Sequence, residues 1–242
     1  MSQAHTVRKY DEDLKELNNM LARMGGLAEA QLKTAVEAAV RRDTDLAAQT
    51  IENDDLIDEL ELQIDDMVVK LLALRQPMAT DLREIISALK VSAEIERVAD
   101  CATNIAKRAI RLNEHPSVKG VGSLPRLAEV SQQMVKDVLD AYIEHDVDKA
   151  LDVWHRDEQL DALHTGLFRE LLTYMLEDPR NITPCTHMLF ISKNIERIGD
   201  HATNIAEMCH FLVHGGPMRE SRSRGKLAQR AAAAKDDTGS GA

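Results

Sequence analysis

The chain has 242 residues, of which 44% are hydrophobic but only 3% aromatic, 29% are charged, and the formal net charge is −11. Its apolar content is therefore Ala, Leu, Ile, Val and Met, which together with few Gly and Pro is the composition of helix–helix packing. The segment from Pro217 holds six Lys/Arg and three Asp/Glu, so it is +3 and the remainder −14, a charge that excludes nucleic-acid binding by phosphate neutralisation and favours cations or basic protein surfaces.

Six long helical segments follow in order. The first runs from Val7 to Arg42, with Arg41 and Arg42 suited to its last turn and Asp43 placed to cap the next. The second runs from Asp45 to Arg75 and stops at Gln76-Pro77. The third runs from Thr80 to His115-Pro116. Lys119-Gly120-Val121-Gly122-Ser123 is the clearest loop. The fourth follows Ser123 and ends at His145-Asp146, and the fifth runs to Glu177-Asp178-Pro179. The sixth opens with Thr183 as a capping residue and Pro184 in the first turn, and stops at Gly215-Gly216-Pro217. The remainder has no periodicity and reads as a disordered tail.

The third and sixth helices carry one segment written twice. Glu96-Arg97-Val98-Ala99-Asp100-Cys101-Ala102-Thr103-Asn104-Ile105-Ala106 and Glu196-Arg197-Ile198-Gly199-Asp200-His201-Ala202-Thr203-Asn204-Ile205-Ala206 agree at eight of eleven positions, one hundred residues apart. Upstream, Asp43-Thr44-Asp45 matches Asp146-Val147-Asp148, and Asp54-Asp55-Leu56-Ile57-Asp58 matches Asp157-Glu158-Gln159-Leu160-Asp161, at an offset of 103. The expected fold is all-α: two tandem three-helix bundles of long antiparallel helices, at residues 1–116 and 117–216, followed by a disordered tail at 217–242.

A spacing of four keeps two residues on one helix face. Asp54 and Asp58 share a face of the second helix, and Glu96 and Asp100 share a face of the third. The midpoint between the two pairs falls on Pro77, the hairpin turn. For Asp157/Asp161 and Glu196/Asp200 it falls at Asp178-Pro179, again the turn. Each repeat therefore sets four carboxylates at one level between two neighbouring helices. Such a set is unfavourable alone, because like charges repel and raise one another's pKa. Arg97, Arg197 and open solvent would compensate it if it were a solvated face. Duplication of the set at a matched level favours a bound cation, and carboxylate oxygens suit Mg, Mn, Ca or Fe.

Asp161-x-x-His164 and Glu207-x-x-His210 have the spacing found in di-iron carboxylate bundles. Their counterparts in the first repeat are Asp58 with Glu61 and Lys107 with Ile110, so the pattern is not duplicated. His164 could serve as an extra ligand. His5, His145, His155 and His214 are expected on the surface, and Trp154 and the methionines in the core. No phosphate-binding loop, nucleophile elbow or Cys-His pair is visible. The three cysteines, Cys101, Cys185 and Cys209, are odd in number and lack CxxC spacing, so no disulfide framework is suggested. The N-terminus shows no apolar signal core and no stretch reaches the length of a membrane span, which fits a reducing cytoplasm.

These residues resemble the PhoU family of bacterial phosphate-signalling accessory proteins. The doubled Glu-Arg-(Val/Ile)-(Ala/Gly)-Asp motif is joined by Arg75-Gln76-Pro77-x-x-x-Asp81-Leu82-Arg83 and by Tyr174-Met175-Leu176-Glu177-Asp178. The resemblance spans Tyr10 to Val213. It implies a multinuclear metal site on each bundle, held by Asp54, Asp58, Glu96, Asp100, Asp157, Asp161, Glu196 and Asp200, with Fe, Mn, Mg or Zn as cofactor. Asn104, Asn204, Arg97, Arg197 and His164 are the expected supporting residues. The resemblance further implies a cytoplasmic, non-enzymatic adaptor that dimerises. It would link the ATPase subunit of a phosphate ABC transporter to a sensor histidine kinase, sit at the membrane through those partners, and repress phosphate uptake and the phosphate-starvation response. The alternatives are a di-metal helical-bundle enzyme, which would turn over with oxygen, and a structural protein.

Overall fold

The computed structural model describes residues 2–75, 77–118 and 122–218, the side chains of residues 2–9, 11 and 75 excepted. The tail expected from Pro217 lies outside the described residues from 219 onward, as do Gln76 and positions 119–121 of the linker. The described residues form seven α-helices: α1 (Ser2–Arg41), α2 (Thr44–Glu52), α3 (Asp55–Arg75), α4 (Ala79–Asn113), α5 (Leu124–Glu144), α6 (Val147–Glu177) and α7 (Ile182–His214). A 3-10 turn, Pro179–Asn181, joins α6 to α7. Among the described residues there is no strand, and no helix is long and apolar enough to cross a membrane.

The predicted second helix is two helices. The chain turns at Asn53-Asp54, where the Asn53 N–H bonds the Ile51 carbonyl and the Asp54 carbonyl accepts from Ile57 N at 2.9 Å. Asp54 thus stands just ahead of α3 instead of inside a regular helix. Its counterpart Asp157 lies within the unbroken α6. The expected cap Thr183 is also displaced: Asn181 is the N-cap of α7, and Thr183 and Pro184 fall in its first turn. The Pro is tolerated there because the first-turn N–H groups have no intrahelical acceptor.

The two repeats turn their first corner in the same way. Arg42 and His145 adopt left-handed φ values of 58° and 57°. The next residue's N–H then reaches back to the helix, Asp43 N to Ala38 O and Asp146 N to Ala141 O, each at 2.9 Å. The same aspartates cap the following helices, accepting from Leu46 N and Lys149 N at 3.0 Å. One corner therefore closes one helix and opens the next.

Within the first repeat α1 and α4 run parallel, joined by Asn18–Glu84 at one end and Arg42 to the Leu112 carbonyl at the other. Thr50 of α2 meets Thr34 of α1 in antiparallel register. In the second repeat Ser123–Glu170 and Arg156–Asp137 fix α5 antiparallel to α6. The repeats meet along α4 and α7. Arg83 lies against Gly215, Asn204 bonds Glu94, and Arg108 covers Phe190. The two residue numbers of each pair have the same sum, so α4 and α7 are antiparallel along their whole length. That register puts the Glu96/Asp100 and Glu196/Asp200 pairs at one level of the molecule. Gly215 takes φ 72°, the left-handed conformation that ends α7 and favours glycine.

One continuous core of buried side chains joins both repeats, including Leu17, Met24, Leu32, Ile64, Ile95, Ile105, Met134, Leu160 and Ile198. Trp154 packs against it, whereas Met78, expected in the core, is 80% exposed. His145, His155 and His214 are exposed; His5 lies among the residues whose side chains are not described. All three cysteines are buried free thiols.

Small residues in the doubled motif set the helix spacing. A methyl group placed on Gly199 would overlap Leu160 Cδ2, in a fully buried side chain, and stand 3.4 Å from Asp157 Oδ1. Gly199→Ala gains about 1 kcal/mol of helix propensity and loses about 1–3 kcal/mol to overpacking. The packing loss wins, so the melting temperature of the variant should fall in thermal denaturation. A rise would mean that α6 and α7 separate freely.

Candidate metal centre

The first carboxylate set forms where α3 begins and meets the middle of α4. Asp54 is held in place from α1. Gln31 Nε2 donates to Asp54 Oδ1 at 2.9 Å and to Thr103 Oγ1 on α4 at 2.8 Å, and Gln31 is only 5% exposed. This amide ties three elements together at the edge of the set. Asp58 lies one turn into α3, and Glu61 one turn further. Glu96 and Asp100 face them from α4.

The electrostatics of this set are those of carboxylates crowded without enough cations. Glu96 is pushed from its ordinary 4.5 up to about 7, first by burial and then by Asp100, Glu61 and Asp58, with Arg97 pulling the other way. Asp58 is raised by burial and by Asp54, Asp100 and Asp55. Glu61 is raised by burial, Asp65 and Asp58, against Arg97. The sequence reading brought together Asp54, Asp58, Glu96 and Asp100; the structure adds Glu61, three residues beyond Asp58 on the same face.

The second set is differently furnished. Asp157 is 5% exposed and sits against Gly199, where the missing side chain leaves it room. Asp161 and Asp200 are partly buried. Glu196 pairs with Lys193 Nζ at 2.5 Å, and its side chain is only 12% exposed. His164 places Nδ1 2.6 Å from Ser192 Oγ. Its pKa is lowered by burial, with Glu196 and Asp161 pulling it up and Lys193 down. The imidazole therefore faces the set in its neutral form, able to offer a lone pair.

The expected supporting residues are spread more widely. Arg97 and Arg197 are exposed. Arg197 lies near enough to Cys101 on α4 to draw its thiol down, against the burial that holds it at about 11. Asn204 donates to Glu94 at 3.0 Å, a carboxylate that also faces His201 Nδ1 at 2.8 Å. Asn104 is exposed on the face of α4 beyond Asp100. The Glu94–His201–Asn204 cluster is not legible in the sequence, because the counterparts of Glu94 and His201 are Asn194 and Cys101, which break the repeat.

Among the described residues no three His, Cys, Asp or Glu side chains already converge on a metal position. The donor chemistry fits a hard cation nonetheless. Both sets offer carboxylate oxygens, and in the first set Glu96 holds a proton near neutral pH where a cation would relieve the crowding.

Comparison with known proteins adds to this geometry. The PhoU domain pattern matches residues 21–109 and 124–209. Over 221 residues the chain is 47% identical to the phosphate-specific transport system accessory protein PhoU homolog of Caulobacter vibrioides, covering 91% of this chain and 96% of that protein. The PhoU homolog of Rhizobium meliloti is 46% identical over 231 residues, with 93% and 95% covered. Among solved structures, PhoU from Pseudomonas aeruginosa superposes with a TM-score of 0.83 at 41% identity, covering 86% of this chain and all of the other. The phosphate transport system regulatory protein PhoU from Streptococcus pneumoniae gives 0.80 at 28% identity, covering 87% of this chain and all of the other.

Proposed function

This chain belongs to the PhoU domain family, and on that footing we propose that it is a non-enzymatic accessory protein of phosphate transport. It restrains the phosphate-starvation response when phosphate is plentiful. The observation that carries this reading is the similarity to PhoU homologs over 91% of the chain and 96% of the relative, so the likeness is to a whole accessory protein. Its work lies in contact with partners: a transporter ATPase and a sensor kinase on the cytoplasmic side, with the protein acting as a dimer. The acidic body suits basic protein surfaces, and electrostatic complementarity gives such contacts their speed and selectivity.

The two carboxylate sets hold metal in this reading. Asp54, Asp58, Glu61, Glu96 and Asp100 would serve the first site, and Asp157, Asp161, Glu196 and Asp200, with His164 beside them, the second. The cation, Fe, Mn, Mg or Zn, supplies positive charge at the level where α4 and α7 cross the middle of the molecule. Each set draws two of its carboxylates from α4 or α7, the helices that join the repeats, so metal stiffens the joint between them.

Deleting the gene should switch phosphate-starvation genes on in phosphate-rich medium, read as transcript levels, and a plasmid copy should silence them again. Unchanged transcripts in the deletion strain, with the protein shown to be made in the parent, would remove the repressor role. Metal analysis of chelator-free protein tests the second half separately.

A further inference from the structure

The C-terminal half of α4 carries a feature that the accessory role leaves unused. Asn104, Lys107, Arg108 and Arg111 stand at helical spacing on one face, and with Ile110 they line an open groove of about 540 Å³. The first half of α7 packs beside this face, bringing Phe190 and His187 close to Arg108. The Arg108 guanidinium lies 4.2 Å above the Phe190 ring, which pins it by a cation–π contact. His115 and His187 stack beside it, ring centroids 5.8 Å apart at 24°. His187 lies close enough to Arg108, His115 and Arg111 to feel their charge, and its Nδ1 is a buried polar atom without a protein partner.

Three permanent cations thus share one groove on a protein of net charge −11. Among the described residues neither Lys107 nor Arg108 pairs with a carboxylate. Arg111 meets Glu114 at 3.1 Å, with both side chains more than half exposed, and an exposed pair of this kind gives way readily to a better acceptor. The fold does not require these cations. One hundred residues on, α7 has Asn204, Glu207, Met208 and Phe211 in the same places and forms an equally regular helix. The basic face is a property of the first repeat alone.

We infer that this groove binds a small oligophosphate anion. Arg108 and Arg111 are neighbours on the helix surface, about 5–6 Å apart at their Cβ atoms, so their planar forks can each grip one of two adjacent phosphoryl groups. Lys107 adds a point charge beside them. Asn104 supplies a polar contact at the rim. A single carboxylate would engage one fork and leave the rest of the groove empty. The same chemistry is offered by free tripolyphosphate and by the triphosphate of a nucleotide.

The test is calorimetric titration of the full chain with sodium tripolyphosphate and, separately, with ATP. Both are run on metal-depleted protein, so that chelation of bound metal does not enter the signal. Tripolyphosphate should bind, and Arg108→Gln/Arg111→Gln should weaken it about tenfold or more, while Arg41→Gln/Arg126→Gln, which removes two exposed arginines elsewhere, leaves it unchanged. Circular dichroism confirms that each variant is folded. Lys107→Glu/Arg108→Met, which copies the second repeat, should abolish binding on a sequence the fold already accepts. Equal affinities for the two ligands assign the site to the free anion, and tighter ATP to the nucleotide. No binding to the parent protein overturns the inference. So does a double variant that binds like the parent, or an oligo-aspartate peptide that binds as tightly as tripolyphosphate.

Discussion

Asp100→Ala combined with Asp200→Ala is expected to strip metal from the purified protein, lowering its content about tenfold or more. Asp100 lies on α4, where it faces Asp58 in the first turns of α3, and Asp200 lies on α7. Neither is a packing residue, so the double variant should keep its helical circular dichroism. The single variants should separate the sites. Asp100→Ala removes metal from the set that includes Asp58, Glu61 and Glu96, and Asp200→Ala from the set around Asp157 and Glu196. The second site is the more confined, with Asp157 5% exposed, so its metal should exchange more slowly with added chelator. Asn104→Ala should change little, since that side chain is exposed beyond the set. Inductively coupled plasma analysis of protein prepared without chelator reads all of this. A double variant with full metal content would show that the carboxylates are only an acidic surface.

What could be read in advance was what the chain encodes locally. Helical periodicity, the cap at Asp43, and the turns at Pro77 and Asp178-Pro179 are each set by a few neighbouring residues. Those turns then fix the level at which α3 meets α4 and α6 meets α7, so the facing of Asp58 with Glu96 and Asp100 followed from counting. The break at Asn53-Asp54 did not, because nothing there forbids a helix and the matching stretch of α6 is continuous. Its cause is tertiary: Gln31 reaches from α1 to hold Asp54. Glu61 stands in the sequence as the counterpart of His164, outside the four-residue spacing that pairs the other carboxylates. The antiparallel union of α4 with α7 was also beyond local reading. It depends on which faces of two similar helices meet, and the polar contacts that record the answer, Glu94 with His201 and Asn204, are not repeated elsewhere in the chain.

Metal-free protein should become less stable as pH rises from about 5 to 8, the reverse of the usual trend for an acidic protein. The group responsible is Glu96, whose carboxyl is raised from 4.5 to about 7 in the folded state. Between those values the folded protein holds a proton that the unfolded chain has released, so raising the pH favours unfolding. The contribution is fully present below 4.5 and is lost as the pH passes 7. Asp58 and Glu61 are raised too and act in the same direction. One pKa unit corresponds to about 1.4 kcal/mol, and screening of a partly exposed group leaves a net effect of roughly 1 kcal/mol. His164 and His187 oppose it. Their imidazoles are lowered from 6.5, so they add stability as the pH rises toward that value. The comparison that isolates the carboxyl is therefore parent against Glu96→Gln. In the presence of chelator the variant should melt higher than the parent at pH 8 and within a degree or so of it at pH 5. Metal acts on the same proton. Binding to the first site must displace it, so affinity there should fall up to about tenfold per unit below pH 7. At the second site Glu196 already faces Lys193, and the group a cation must compete with there is that ammonium. Melting curves from pH 5 to 8, with and without added divalent metal, read both effects. If parent and Glu96→Gln melt alike at every pH under chelation, the carboxylates do not crowd one another and no cation is needed to relieve them.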